Sequence, residues 1–139
     1  MKIVQLLPTL AFGDAVGNDT MALMQVIREM GYETGIYAES IDDRIKDKAV
    51  KPAYKVPYMK PEDILIYHMS IGSQLTYAIP EFNCRKIMIY HNVTPPEFLE
   101  AYNPFTADAC REGLKQVAYL ADKFDYCLAD SEFNKQELI

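Results

Sequence analysis

Residues 1–38, MKIVQLLPTLAFGDAVGNDTMALMQVIREMGYETGIYA, decide the fold. Residues 3–7 (IVQLL) form a short, mostly apolar run that is typical of a strand buried on both faces, and we expect it to end at Pro8. Within residues 19–30, apolar side chains recur at helical spacing and predict an amphipathic helix. Residues 34–38 (TGIYA) follow as a second strand. Strand, helix and strand in this order predict a β-α-β unit with a right-handed crossover.

The rest of the chain continues the alternation of apolar strands with helices. This order predicts one Rossmann-like, three-layer α/β domain, with a mostly parallel sheet covered on both faces. A length of 139 residues suits a single domain. The further predicted elements are an edge strand near residues 53–56, strands at 63–68, 86–90 and 125–129, helices near 71–78 and at 106–122, and a helix that begins at Ser131.

Composition excludes some classes of function. The chain has 14 basic and 20 acidic residues, a net charge of −6, which disfavours nucleic acid as a partner because such binding depends on neutralising phosphates. The cysteines Cys84, Cys110 and Cys127 are widely spaced and show no CxxC pair, so we expect reduced, mostly buried thiols and neither a metal site nor disulfides. No cofactor is indicated.

Apolar runs are all too short for a membrane helix, and the N-terminal one is interrupted before any signal-peptide cleavage site. We therefore expect a cytoplasmic protein. Residues 42–60 are locally basic, and they predict either a solvated loop or a surface that meets anionic lipid or a phosphorylated acceptor, peripherally at the inner face of the membrane. The basic residues are Arg44, Lys46, Lys48, Lys51, Lys55 and Lys60.

Candidate site residues follow the predicted strands, where ligands gather in open α/β sheets. His91 is the strongest candidate because it directly follows an apolar strand and precedes an extended Asn-Val-Thr-Pro-Pro segment. There it could donate a hydrogen bond to a ligand hydroxyl or to an oxygen on which charge develops. His68 ends another strand in the same way, and a structural role is as consistent with this position as a binding role.

The loop FGDAVGN, residues 12–18, places two glycines before a helix. Free N–H groups at a helix start favour an anion such as phosphate, although a simple tight turn explains Gly13 equally well. The spacing matches neither GxGxxG nor a P-loop. We expect Asp14 to accept a hydrogen bond from a ligand hydroxyl, and Asn18 or Asp19 to cap the helix.

Three stretches together resemble the N-terminal domain of family 4 glycosyltransferases, the large retaining group with the GT-B fold. They are residues 1–19, the segment YHNVTPPEF at 90–98, and LADSEFNKQEL at 128–138. The second is similar to a YHN-x-TPP signature of a bacterial branch of the family, and the resemblance covers the whole chain. Many members carry two adjacent glycines in the first loop, whereas this chain has Gly13 followed by Asp14.

The resemblance implies sugar transfer from a nucleotide-diphosphate sugar to a sugar or lipid-linked acceptor, with retention and without a catalytic metal. It places Gly13, Asp14 and Asn18 beside the donor diphosphate and the acceptor, and His91 beside the transferred sugar. His68, together with Asn92, Thr94 and Ser131 of the quoted motifs, completes the expected substrate-binding set. The donor-holding glutamates and Arg/Lys pair of the family belong to a second domain that nothing in these residues matches, so we expect an acceptor-side half, folded but inactive alone.

Other classes of protein stay open at this point. A free-standing flavodoxin-like binding or regulatory module would share the α/β order, but a receiver domain would have acidic residues after its first strand and an Asp at the end of its third, where this chain has His68. Half of a sugar-nucleotide epimerase, which shares the two-domain architecture, is a second alternative. Only the segment HNVTPP favours a glycosyltransferase over it. Ser-His-Asp hydrolysis is disfavoured because no G-x-S-x-G elbow is present.

Overall fold

The computed structural model describes residues 1–69, 72–91 and 103–129. A six-stranded, all-parallel sheet forms the middle layer, in the order β3-β2-β1-β4-β5-β6. The strands are Lys2–Leu10 (β1), Glu33–Ile41 (β2), Val50–Pro52 (β3), Ile64–Met69 (β4), Arg85–Tyr90 (β5) and Tyr126–Ala129 (β6); the α-helices are Ala15–Glu29 (α1) and Pro104–Leu120 (α2); two 3-10 helices span Ala53–Lys55 (η1) and Gln74–Glu81 (η2).

Side chains that alternate along the strands build a core on each face of the sheet, and the predicted three-layer Rossmann-like fold is confirmed. On one face Leu7 and Ile36 pack with Met24 of α1. On the other face the core combines strand residues with those of α2 and η2. Its largest fully buried members include Leu6, Leu65, Tyr67, Met88, Tyr90, Ile79 and Leu120.

β1 is longer than expected because Pro8 does not end it. Pairing with β4 stops at the Leu6–Tyr67 pair, whereas pairing with β2 continues on the other side to the Leu10–Ile41 pair. Residue pairing with β2 omits Pro8 and resumes at Thr9. The missing N–H of proline is therefore tolerated at a point where only one neighbour remains to be paired.

Further element boundaries differ from those expected. The edge strand lies at Val50–Pro52 rather than near residues 53–56, because the chain turns into η1 directly after Pro52. The helix expected to stop before Pro80 is a 3-10 helix that runs through it to Glu81. Of the cysteines, only Cys110 is buried and Cys127 is exposed, so the expectation of mostly buried thiols was wrong.

Chain direction across the sheet reverses at β1. From β1 the chain moves outward to β2 and β3, then returns to β4 on the opposite side and continues outward to β5 and β6. The switch point therefore lies between β1 and β4, at their carboxyl ends, where open α/β sheets bind ligands. Within residues 1–69, 72–91 and 103–129, no helix is long and apolar enough to cross a membrane.

Candidate functional site

The site forms beyond the carboxyl ends of β1, β4 and β5, which are neighbours in the sheet. His68 is the penultimate residue of β4, and His91 directly follows β5. The backbone N–H of His91 donates to the carbonyl of Met69 at 2.9 Å, so the start of the loop after β5 is held against the end of β4. The register pairs His68 with Ile89, two residues before His91, so the two histidines are close neighbours at adjoining strand ends.

The two histidine side chains are in direct contact. Nδ1 of His68 and Nε2 of His91 are 2.8 Å apart, and the rings stack with centroids 5.1 Å apart. His68 is 1% exposed, whereas His91 is half-buried. The structure thus places the two histidines predicted from the sequence in contact, with His68 buried and His91 half-buried.

Gln5 of β1 extends the pair inward. Its Oε1 lies 2.7 Å from Nε2 of His68, and its Nε2 donates to the backbone carbonyl of Thr20 in α1 at 3.0 Å. Gln5 is fully buried. Sequence reasoning missed this residue, although one signal was present: Gln5 is the only polar side chain in IVQLL. A buried polar group in a central strand requires a partner, and His68 is that partner.

Burial determines the charge of His68. Removal from water and the nearby ring of His91 lower the pKa of His68 to about 3, so the side chain is neutral at physiological pH. If the His91 ring carried a positive charge, that charge would oppose protonation of His68 still further. His91 is therefore the member of the pair that is placed to meet solvent or a ligand.

The glycine loop is arranged differently from expectation. α1 begins at Ala15, and Asp14 rather than Asn18 or Asp19 is its N-cap, with Oδ1 accepting from the N–H of Gly17 at 2.6 Å. Helix capping thus occupies Oδ1 of Asp14, and a hydrogen bond donated by a ligand hydroxyl to this carboxylate would be accepted by Oδ2. A Cβ on Gly17 would lie 2.2 Å from the carbonyl oxygen of Ala11, so this glycine is required by close packing of the loop.

Gly13 and Asn18 line a separate cavity of about 250 Å³ between the loop after β1 and the residues after β2. Gly13 has φ +84°, a conformation that glycine adopts readily. Arg44, Lys46 and Asp47 form part of the opposite wall, so the cavity is lined by charged groups of both signs. Neither histidine is among its lining residues.

Arg44 connects the two loops that enclose this cavity. Its guanidinium lies 4.6 Å from the centre of the Phe12 ring and makes two hydrogen bonds to Asp42, at 2.8 and 3.0 Å. These bonds hold the pKa of Asp42 well below its usual range. The cavity is therefore bounded by an arginine whose charge is already paired with a carboxylate, and the sequence had predicted this residue only as part of a basic segment.

Three predicted site residues, Asn92, Thr94 and Ser131, lie outside the described residues, as does the helix expected from Ser131. In the described part of the chain, no group of three or more His, Cys, Asp or Glu side chains could hold a metal ion.

Comparisons with known proteins identify no family. No protein-family model matches the chain, and no curated protein matches it significantly.

Proposed function

We propose that the chain is the acceptor-side, Rossmann-like domain of a retaining glycosyltransferase that uses a nucleotide-diphosphate sugar. One observation carries the proposal: His91, the histidine of YHNVTPPEF, lies directly beyond β5 at the carboxyl edge and beside the switch point. Its ring is held by His68, and an oriented imidazole suits contact with sugar hydroxyls.

The cavity at Gly13 and Asn18 supports the same proposal. Lys46 lies in its wall together with Asp47 and with Arg44, which is paired with Asp42, and α1 begins beside it. Lys46 and the positive end of α1 would hold a phosphate of the donor or of a phosphorylated acceptor. In the proposed enzyme a second domain closes over this edge, binds most of the donor and stabilises the charge of the leaving nucleotide. The described domain alone then binds substrate weakly and does not turn it over.

We also propose a cytoplasmic location with contact to anionic lipid through the basic edge, which is the surface of residues 42–60 at the β3 side of the sheet. This segment has a net charge of +3, whereas the remainder of the chain has −9. All six of its basic side chains are exposed. Tyr54 and Tyr58 are 83% and 79% exposed beside them, and tyrosine is favoured at membrane interfaces.

The experiment that tests the enzyme assignment is a transfer assay on the complete protein that contains this domain. Nucleotide-diphosphate sugars are supplied with lipid-linked and soluble acceptors, and NMR of the product reports the anomeric configuration. The proposal expects a glycoside with the donor's configuration. A product with inverted configuration would contradict retention, and an epimerised nucleotide sugar without a glycoside would identify an epimerase instead.

A further inference from the structure

We propose that His68, held by Gln5, is a positioning residue that fixes His91 in its Nε2-protonated form, so that Nδ1 carries a lone pair whenever the His91 ring is neutral. The directions of three successive hydrogen bonds lead to this assignment, and each direction follows from the one before it. Only its consequence for a ligand rests on the proposed function.

The first direction is set by the backbone. The carbonyl oxygen of Thr20 can only accept, so the side-chain atom 3.0 Å from it must be the amide nitrogen of Gln5. The amide oxygen of Gln5 then faces His68, and it too can only accept. The orientation of this buried amide is therefore fixed by a group that cannot change its role.

The second direction follows at His68. Because Oε1 of Gln5 accepts, Nε2 of His68, 2.7 Å away, must carry a proton. A second proton on Nδ1 would create a charge on a side chain that is 1% exposed, and burial strongly opposes this. His68 is therefore neutral, and its Nδ1 is an acceptor.

The third direction follows at His91. Its Nε2 lies 2.8 Å from the acceptor Nδ1 of His68, so Nε2 of His91 must donate and must carry a proton. In a neutral ring the lone pair is then on Nδ1. Any group that meets Nδ1 of neutral His91 must donate a hydrogen bond, as a sugar hydroxyl does. His91 acts toward such a group as an acceptor or base, whereas the sequence had suggested a donor.

The experiment is a long-range ¹H–¹⁵N NMR correlation on the ¹⁵N-labelled 139-residue chain at pH 7 without ligand. The chain has only two histidines, so four ring nitrogens are assigned. We expect His68, and His91 in its neutral form, to show a protonated Nε2 and an unprotonated Nδ1, with a ¹⁵N–¹⁵N coupling across the hydrogen bond between the two rings. A neutral ring of either histidine with its proton on Nδ1 instead of Nε2 would overturn the inference, and this decision needs no variant.

Two substitutions test whether His68 causes the effect. His68→Asn retains an acceptor oxygen near the position of Nδ1, and we expect His91 to keep its single tautomer. His68→Leu removes the acceptor, and we expect His91 to lose that single tautomer and become a mixture. An unchanged His91 spectrum in folded His68→Leu would contradict the positioning role. Because these experiments contain no substrate, their outcome is independent of the outcome of the transfer assay.

Discussion

At the scale of single residues, the neutral His68 makes stability depend on pH. Its pKa is lowered to about 3 in the folded chain, below the ordinary value near 6.5. The unfolded chain therefore binds a proton that the folded chain does not, and the stabilisation is complete above about pH 6.5 and is lost as pH falls toward 3.

We expect His68→Asn to remove this dependence. Between about pH 5.5 and 4, the free energy of unfolding of the wild type should fall by about 1.4 kcal/mol per pH unit more than that of the variant. Urea denaturation of both proteins across this range measures the difference, and shared carboxylate contributions cancel. Parallel pH profiles would mean that His68 is not buried and neutral as described.

At the scale of secondary-structure elements, Gln116 of α2 anchors η2. Its Oε1 accepts from the N–H of Ser73 at 2.8 Å and from the hydroxyl of Thr76 at 2.6 Å. Gln116 is 3% exposed and Thr76 is fully buried. We expect Gln116→Leu to lower the free energy of unfolding by about 2–3 kcal/mol, because two inward-facing donors lose their acceptor.

Gln25→Leu is the matched control, since Gln25 is exposed on α1 and hydrogen-bonds only the exposed Glu29 side chain among described contacts. Its effect should stay within about 0.5 kcal/mol. Urea denaturation compares the two variants. Equal effects of the two substitutions would contradict an anchoring role for Gln116.

Prolines show why element boundaries were the least predictable part of the fold. Periodicity was sufficient to predict the order of strands and helices, but Pro8 and Pro80 both lie inside elements that they were expected to end. Pro8 is accommodated because β4 pairing has already stopped, and Pro80 because it lies in a 3-10 helix. Both outcomes depend on neighbouring strands and backbone geometry, which the local sequence does not contain.

The candidate site, like the fold, could be predicted only in part. His91 and His68 could be predicted because each follows an apolar run, and parallel strands bring such ends together. Their contact with Gln5 could not be predicted, because it depends on the register that pairs Gln5 with Ile66, two residues before His68. The capping role of Asp14 depends likewise on the start of α1 at Ala15.

At the scale of the whole molecule, charge is separated between the basic edge and the remainder of the chain. We expect the chain to bind vesicles that contain anionic phospholipid and not vesicles of phosphatidylcholine alone. Each Lys near an anionic surface contributes about 1 kcal/mol, so Lys51→Glu/Lys55→Glu should weaken binding by about 30-fold or more. Vesicle co-sedimentation measures the affinities.

Lys115→Glu/Lys123→Glu makes the same change of charge at and just beyond α2, away from the basic edge, and should bind nearly as well as the wild type. Equal losses for the two double variants would indicate a general effect of net charge and contradict a specific role for the basic edge.

The most direct test of the central claim, that His91 at the carboxyl edge serves sugar transfer, is the steady-state kinetics of His91→Ala in the complete protein. We expect kcat to fall by about 100-fold or more, as for loss of a group that acts in the transition state, with Lys115→Ala as the control that retains wild-type kcat. A His91→Ala enzyme with the kcat and KM of the wild type would contradict the assignment of the site.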